Sequence, residues 1–83
     1  MINGIYCVRD ERVGFMSPTM DTNDQTATRN FEFALSRVES IMHTHKGDFS
    51  LFRLGTFNTE TGEIVLESIP KIIVRGNDYA ESK

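Results

Sequence analysis

The sequence predicts a small α+β domain in the order β-α-β-β-β, with one amphipathic helix packed on one face of a mainly antiparallel sheet. Three observations predict it. Phe49 to Ile64 (FSLFRLGTFNTETGEI) reads as two β-rich runs joined by a polar turn. Ala27, Phe31, Ala34, Leu35, Val38, Ile41 and Met42 recur at the 3.6-residue period of a helix stripe. Two further runs, from Ile2 to Arg9 and from Lys71 to Arg75, have strand composition.

In the first strand, Ile2, Tyr6 and Val8 fall on one face, and Ile5 and Cys7 on the other. Asp10 to Met20 is read as an irregular connection punctuated by Gly14 and Ser17-Pro18. Its Phe15 and Met16 are apolar for a loop and are expected to cover a core edge or a partner. The helix has three candidate caps, Thr22, Asn23 and Asp24, and Thr22 and Gln25 have capping-box spacing. It is expected to fade over His43 to Lys46 and to end at Gly47.

The hairpin follows. Gly62 stands where its turn needs a positive φ, and Gly55 where a bulge or a close approach would need no side chain. The returning strand runs from Glu63 to about Ile69, and Pro70 marks a corner. In the last strand, Ile72 and Val74 are expected inward and Lys71, Ile73 and Arg75 outward. Residues 1–83 form one domain, with 77–83 read as a frayed tail.

One helix covers one face of such a sheet. The alternation leaves Ile5, Cys7, Val65 and Ile73 on the other face, joined by Phe52 or Leu51 and rimmed by Arg9, Glu63, Glu67, Lys71 and Arg75. An apolar centre with a charged rim suggests a homodimer interface. A chain this short buries only about 60% of its unfolded surface, so association would help it.

Composition narrows the function. Nine Lys and Arg face twelve Asp and Glu, for a net charge of −3, which argues against strong nonspecific binding to nucleic acid or anionic membrane. The apolar runs are too short for a membrane span or a signal-peptide core. A single cysteine makes no internal disulfide, so a reducing cytoplasm is the expected compartment. His43-Thr44-His45 would need a loop to converge on a metal, and no further ligand has finger-like or HExxH spacing. The sequence holds no nucleophile elbow and no phosphate loop. These readings leave no catalytic residue, no metal and no cofactor. What remains is a set of arginines, Arg9, Arg12, Arg53 and Arg75, beside the strand aromatics Tyr6, Phe52 and Phe57, which either stack the bases of a single strand or belong to the core; the net acidity favours the core.

Asn23-Asp24-Gln25-Thr26-Ala27-Thr28-Arg29-Asn30-Phe31, followed by Phe49 to Ile64, resembles the small nonstructural protein of gokushovirus-type microviruses, which are tiny single-stranded DNA phages. The resemblance runs from Ile5 to about Pro70 and is most specific in the hairpin. Asn58 stands where Asp is more usual, and the loop from Asp10 to Met20 matches only loosely. By position, Ala27, Arg29, Phe31, Leu54, Gly55, Phe57 and Gly62 match the pattern. Phe31 and Leu54 are expected in the core. Arg29 can pair with Glu32 or Asp24, or reach a phosphate.

The resemblance implies a DNA-binding protein of the host cell cytoplasm, absent from the virion as a major component. It would assist the switch from double-stranded to single-stranded genome synthesis during packaging. The acidic balance points instead to a dimeric regulatory module that binds a host or phage replication protein without touching DNA.

Overall fold

The computed structural model describes residues 1–79. Five strands make one sheet: β1 (Ile2–Asp10), β2 (Gly14–Phe15), β3 (Thr19–Asp21), β4 (Phe49–Asn58) and β5 (Ile64–Arg75). Between β3 and β4 lie α1 (Asp24–Ser36), α2 (Ile41–Thr44) and a 3-10 turn at Lys46–Asp48. A second 3-10 turn, Gly76–Tyr79, follows β5. The sheet runs β2-β1-β4-β5, with β3 also on β1, and every pairing is antiparallel.

The order thus differs from the expected β-α-β-β-β in two places. The segment after Asp10 is not irregular, because β2 and β3 pair with the outer edge of β1. Its reversal is set by Asp10, whose carboxylate accepts from the Arg12 N–H at 2.9 Å, and by Gly14 at φ 117. The last two expected strands are one, and both halves of β5 pair with β4. Pro70 does not break the strand. Glu67 to Pro70 bulge together opposite Leu54, so the missing N–H costs no ladder bond.

Asn23 is the cap that α1 uses, and its Oδ1 accepts from the Thr26 N–H at 2.8 Å. The helix ends at Ser36, well before Gly47. Arg37 is extended, the Ser36 hydroxyl donates to the Phe33 carbonyl at 2.7 Å, and His43 Nδ1 donates to the Leu35 carbonyl at 2.8 Å. These bonds satisfy carbonyls at the helix end and turn the chain aside. The apolar stripe breaks there. Val38 and Ile41 are exposed, while Met42 packs against the core from α2.

The core joins Ala27, Phe31 and Leu35 of α1 to Tyr6, Phe49 and Leu51 of the sheet. Val8, Met42, Ile73, Val74 and Tyr79 pack around them. Tyr79 also donates its hydroxyl to Glu32 at 2.7 Å. Residues 77–79 are therefore tied down rather than frayed, and the rest of the expected tail, 80–83, lies outside the described residues.

The hairpin projects past this core. The Cα radius of gyration is 13.3 Å, against about 12 Å for a compact chain of this length, and the extents are 46 × 21 × 19 Å. Leu54 is extra against β1, where Ile5 and Tyr6 face Gly55 and Arg53. It is a half-buried bulge residue rather than part of the buried cluster. A Cβ on Gly55 would collide with the Val65 carbonyl and Leu66 Cα, so only glycine permits the close approach of β4 and β5 beside the bulge. At the tip Gly62 takes φ 78, and the Asn58 side chain accepts from the Glu60 N–H at 2.9 Å. An Asp carboxylate offers the same acceptor, so Asn58 keeps the turn chemistry.

Phe31→Ala should cost about 3–5 kcal/mol, because Phe31 fills the centre of the core. Phe33 lies on the exposed side of the same helix, so Phe33→Ala should cost under about 1 kcal/mol. Urea unfolding of the two variants measures the contrast, and equal losses would mean that the helix buries a different face.

Candidate functional site

Alternation and register sort the expected site residues onto two faces. Tyr6, Val8 and Leu51 look toward α1. Ile5, Cys7 and Arg9 look the other way, onto an open face that no helix covers. Arg9 pairs with Ser50, and Ser50 pairs with Arg75, so the two arginines lie in one row across β1, β4 and β5. Two strand spacings separate their backbones, about 10 Å. The next row is Cys7, Phe52 and Ile72.

β2 adds Phe15 to this face. Its ring meets Phe52 edge-on, with centroids 5.4 Å apart at 73°. The Arg9 guanidinium lies 5.9 Å from the centre of the Phe15 ring. Phe15 is exposed and Phe52 half-buried. Arg9 has only a loose 3.9 Å pairing with Glu11, and Arg75 has no ion pair among the described residues. The open face therefore presents two cations beside two aromatic rings.

The other expected site residues do not join them. Tyr6 is 1% exposed, so its ring offers no stacking surface. Its hydroxyl donates to Asp24 Oδ1 at 2.5 Å. Burial, and then that bond to a carboxylate, push the hydroxyl up to about 12. Arg53 is on the same side and is spent internally. Its Nη1 reaches Asp24 at 3.3 Å and its Nε reaches Glu67 at 3.2 Å. The bond to Glu67, chiefly, raises its already high basicity. Arg12 sits on the β1–β2 turn, 3.5 Å from Asp48.

The expected interface residues also divide. Ile5 is half-buried on the open face, where it lines an apolar depression with Pro18, Met20, Phe57 and Ile64. Cys7 is 2% exposed and has no area to offer a partner. Its thiol donates to the Met16 carbonyl at 2.9 Å, and burial pushes the thiol up. Ile73 packs against the core, and Ile72 takes the open-face position instead. Val65 is exposed but lies on the helix side, while Ile64 and Leu66 take the open face. The reason is phase rather than period. From Ile64 to Ile73 the alternation of β5 runs unbroken across the bulge, so Val65 and Ile73 share a face as expected, but pairing with β4 turns that face toward the helix. Only the shift at Ile73 resets it, which puts Val74 on the helix side and Arg75 on the open face.

Arg29 pairs with neither expected partner, since Asp24 serves Tyr6 and Arg53 and Glu32 serves Tyr79. Among the described residues no three His, Cys, Asp or Glu converge on a metal-sized site, and no helix is long and apolar enough to cross a membrane.

Phe15 is the member of the open face that the sequence reading did not place there. Its signal was present: an aromatic residue directly after a turn glycine, beside a strand.

The chain belongs to a phage protein family: the family described as Phage ORF5 protein matches residues 3–79. Comparison with curated proteins and with solved structures gives no match.

Tyr6 and Tyr79 are both pushed up to about 12 in the folded chain, Tyr79 by burial and then by Glu32. An unfolded tyrosine titrates near about 10. Their contribution to stability is therefore complete below pH 10 and lost as the pH climbs toward 12. Chemical denaturation across this window should show falling stability, and Tyr6→Phe should show a shallower fall. Equal slopes would mean that the Tyr6 hydroxyl is not held by Asp24.

Proposed function

We propose that this phage protein is a nonstructural DNA-binding protein that takes single-stranded DNA on the open face of its sheet. It acts by binding, without catalysis or cofactor, in the cytoplasm of the infected cell. Its role is to assist the switch to single-stranded genome synthesis and packaging, and it is not a major virion component. The resemblance to gokushovirus-type proteins supports this role.

The observation that carries the chemistry is the row of Arg9 and Arg75 beside Phe15 and Phe52. Single strands are held by cations that follow the phosphates and by rings on which bases stack. Both components lie here on one uncovered surface. Arg53, paired with Asp24 and Glu67, serves the fold instead.

A second reading has its own support. The net charge is −3, and Ile64, Val65 and Leu66 are all exposed on the projecting hairpin. A dimeric module that binds a host or phage replication protein would use such a surface.

Fluorescence anisotropy of labelled single- and double-stranded DNA, at two salt concentrations, separates the readings. The DNA reading predicts moderate affinity, a preference for single strands and a shallow salt slope. Arg9→Ala and Arg75→Ala should each weaken binding on every sequence and flatten the slope by about 0.7. Arg53→Ala should instead lower stability by about 1–2 kcal/mol, since its partners are partly solvated. A folded protein that binds no DNA at low salt would leave the protein-binding module as the better account.

A further inference from the structure

β5 is an open edge of the sheet: β4 flanks one side, and no described strand flanks the other. The opposite edge, along β1, carries β2 and β3. A twelve-residue edge leaves a row of backbone N–H and C=O groups without strand partners. Bare apolar side chains line it. Val65, Leu66 and Ile69 are 55%, 69% and 73% exposed, and Ile72 is 39% exposed.

The order of residues along this edge is antisymmetric in charge. Glu63 to Arg75 reads Glu-Ile-Val-Leu-Glu, then Ser-Ile-Pro, then Lys-Ile-Ile-Val-Arg. Acid, three apolar residues and acid are answered by base, three apolar residues and base. Two such edges laid antiparallel about a two-fold axis at Ile69 place Glu67 opposite Lys71 of the second copy. They place Leu66 opposite Ile72 and Val65 opposite Ile73.

The faces agree from Val65 to Glu67 and from Lys71 to Ile73, and part beyond Ile73, where the register shift puts Val74 on the helix side while Ile64 takes the open face. Glu67, bonded to Arg53, and Lys71, in register with Arg53, both lie on the helix side. Leu66 and Ile72 both lie on the open face, and Val65 and Ile73 both on the helix side. Opposite charges directly across a strand pair stabilise it and like charges destabilise it, so this register is favoured over one that sets Glu67 against Glu67.

We propose that β5 is a self-pairing edge, along which a second copy of this chain docks antiparallel to continue the sheet across two chains. Pro70 has no N–H to give, and Glu67 to Pro70 form the bulge against β4. Pairing between the copies therefore runs in two short blocks, Val65 to Glu67 of each chain against Lys71 to Ile73 of the other, and the two Ile69 side chains meet between them. Because β2 and β3 cover the other edge, the assembly closes at two chains and does not propagate into a fibre. The interface is the edge of β5, and not the Ile5 and Cys7 face that the sequence pattern suggested.

Sedimentation velocity without DNA tests this independently of the proposed function. The wild-type protein at about 100 μM should run at twice the 9.5 kDa chain mass and dissociate on dilution. Lys71→Glu sets acid against acid at two symmetry-related places, so the dimer Kd should rise at least about tenfold. Leu66→Glu should give a monomer with an unchanged circular dichroism spectrum, since Leu66 takes no part in the buried core. A wild-type monomer at that concentration would overturn the proposal and leave a different protein as the occupant of the edge. A dimer that survives both substitutions would also overturn it.

Discussion

The fold depends on one polar junction. The Asp24 carboxylate, in the first turn of α1, takes the Tyr6 hydroxyl from β1 and the Arg53 guanidinium from β4. Arg53 in turn holds Glu67 of β5. Four elements thus meet at one guanidinium and one carboxylate, beside the Leu54 bulge where the ladder changes register. The charges are only partly shielded from water, with Arg53 at 29% exposure, so the junction contributes less to net stability than the apolar core. Its effect is geometric. It sets where the helix begins over the sheet, and it marks the boundary between the helix-covered half and the bare projecting hairpin.

The same junction decides which surface is free for function. By binding two carboxylates, Arg53 leaves the set of available cations, and Tyr6 leaves the set of available rings. Arg9 and Arg75 face away from the junction and keep their donors for a ligand. A protein with a net charge of −3 cannot rely on its overall field to draw in DNA. Whatever affinity it has must come from a local group of cations and rings such as the one on the open face. If two chains pair along β5, their open faces lie on the same side of one longer sheet, and the two groups act on one strand together.

Much of this was legible in the sequence, and the reasons for the rest are specific. The helix start was visible because capping is local: Asn23 and Thr26 are three residues apart. Gly62 and Gly55 were legible because positive φ and close approach each select glycine. The helix end was not, since His43 closes it from a later element and no local signal marks Ser36 as the last turn. The faces of β5 were not legible because both alternating sets are apolar, Ile64, Leu66 and Ile72 on one and Val65 and Ile73 on the other, so the pattern sets a period of two but not which face meets the helix. Arg53 could have been placed from the sequence. It stands two residues after Leu51 in a strand, so it shares the core side, where an arginine needs carboxylate partners.

The most direct test of the open face as the functional surface is an NMR titration of the labelled protein with a short single-stranded oligonucleotide. The account predicts that the largest shifts fall on Arg9, Phe15, Phe52 and Arg75, including their side-chain signals. Tyr6, Asp24 and Arg53 should change little. Shifts concentrated on α1 and the Arg53 junction, with the open face silent, would contradict it.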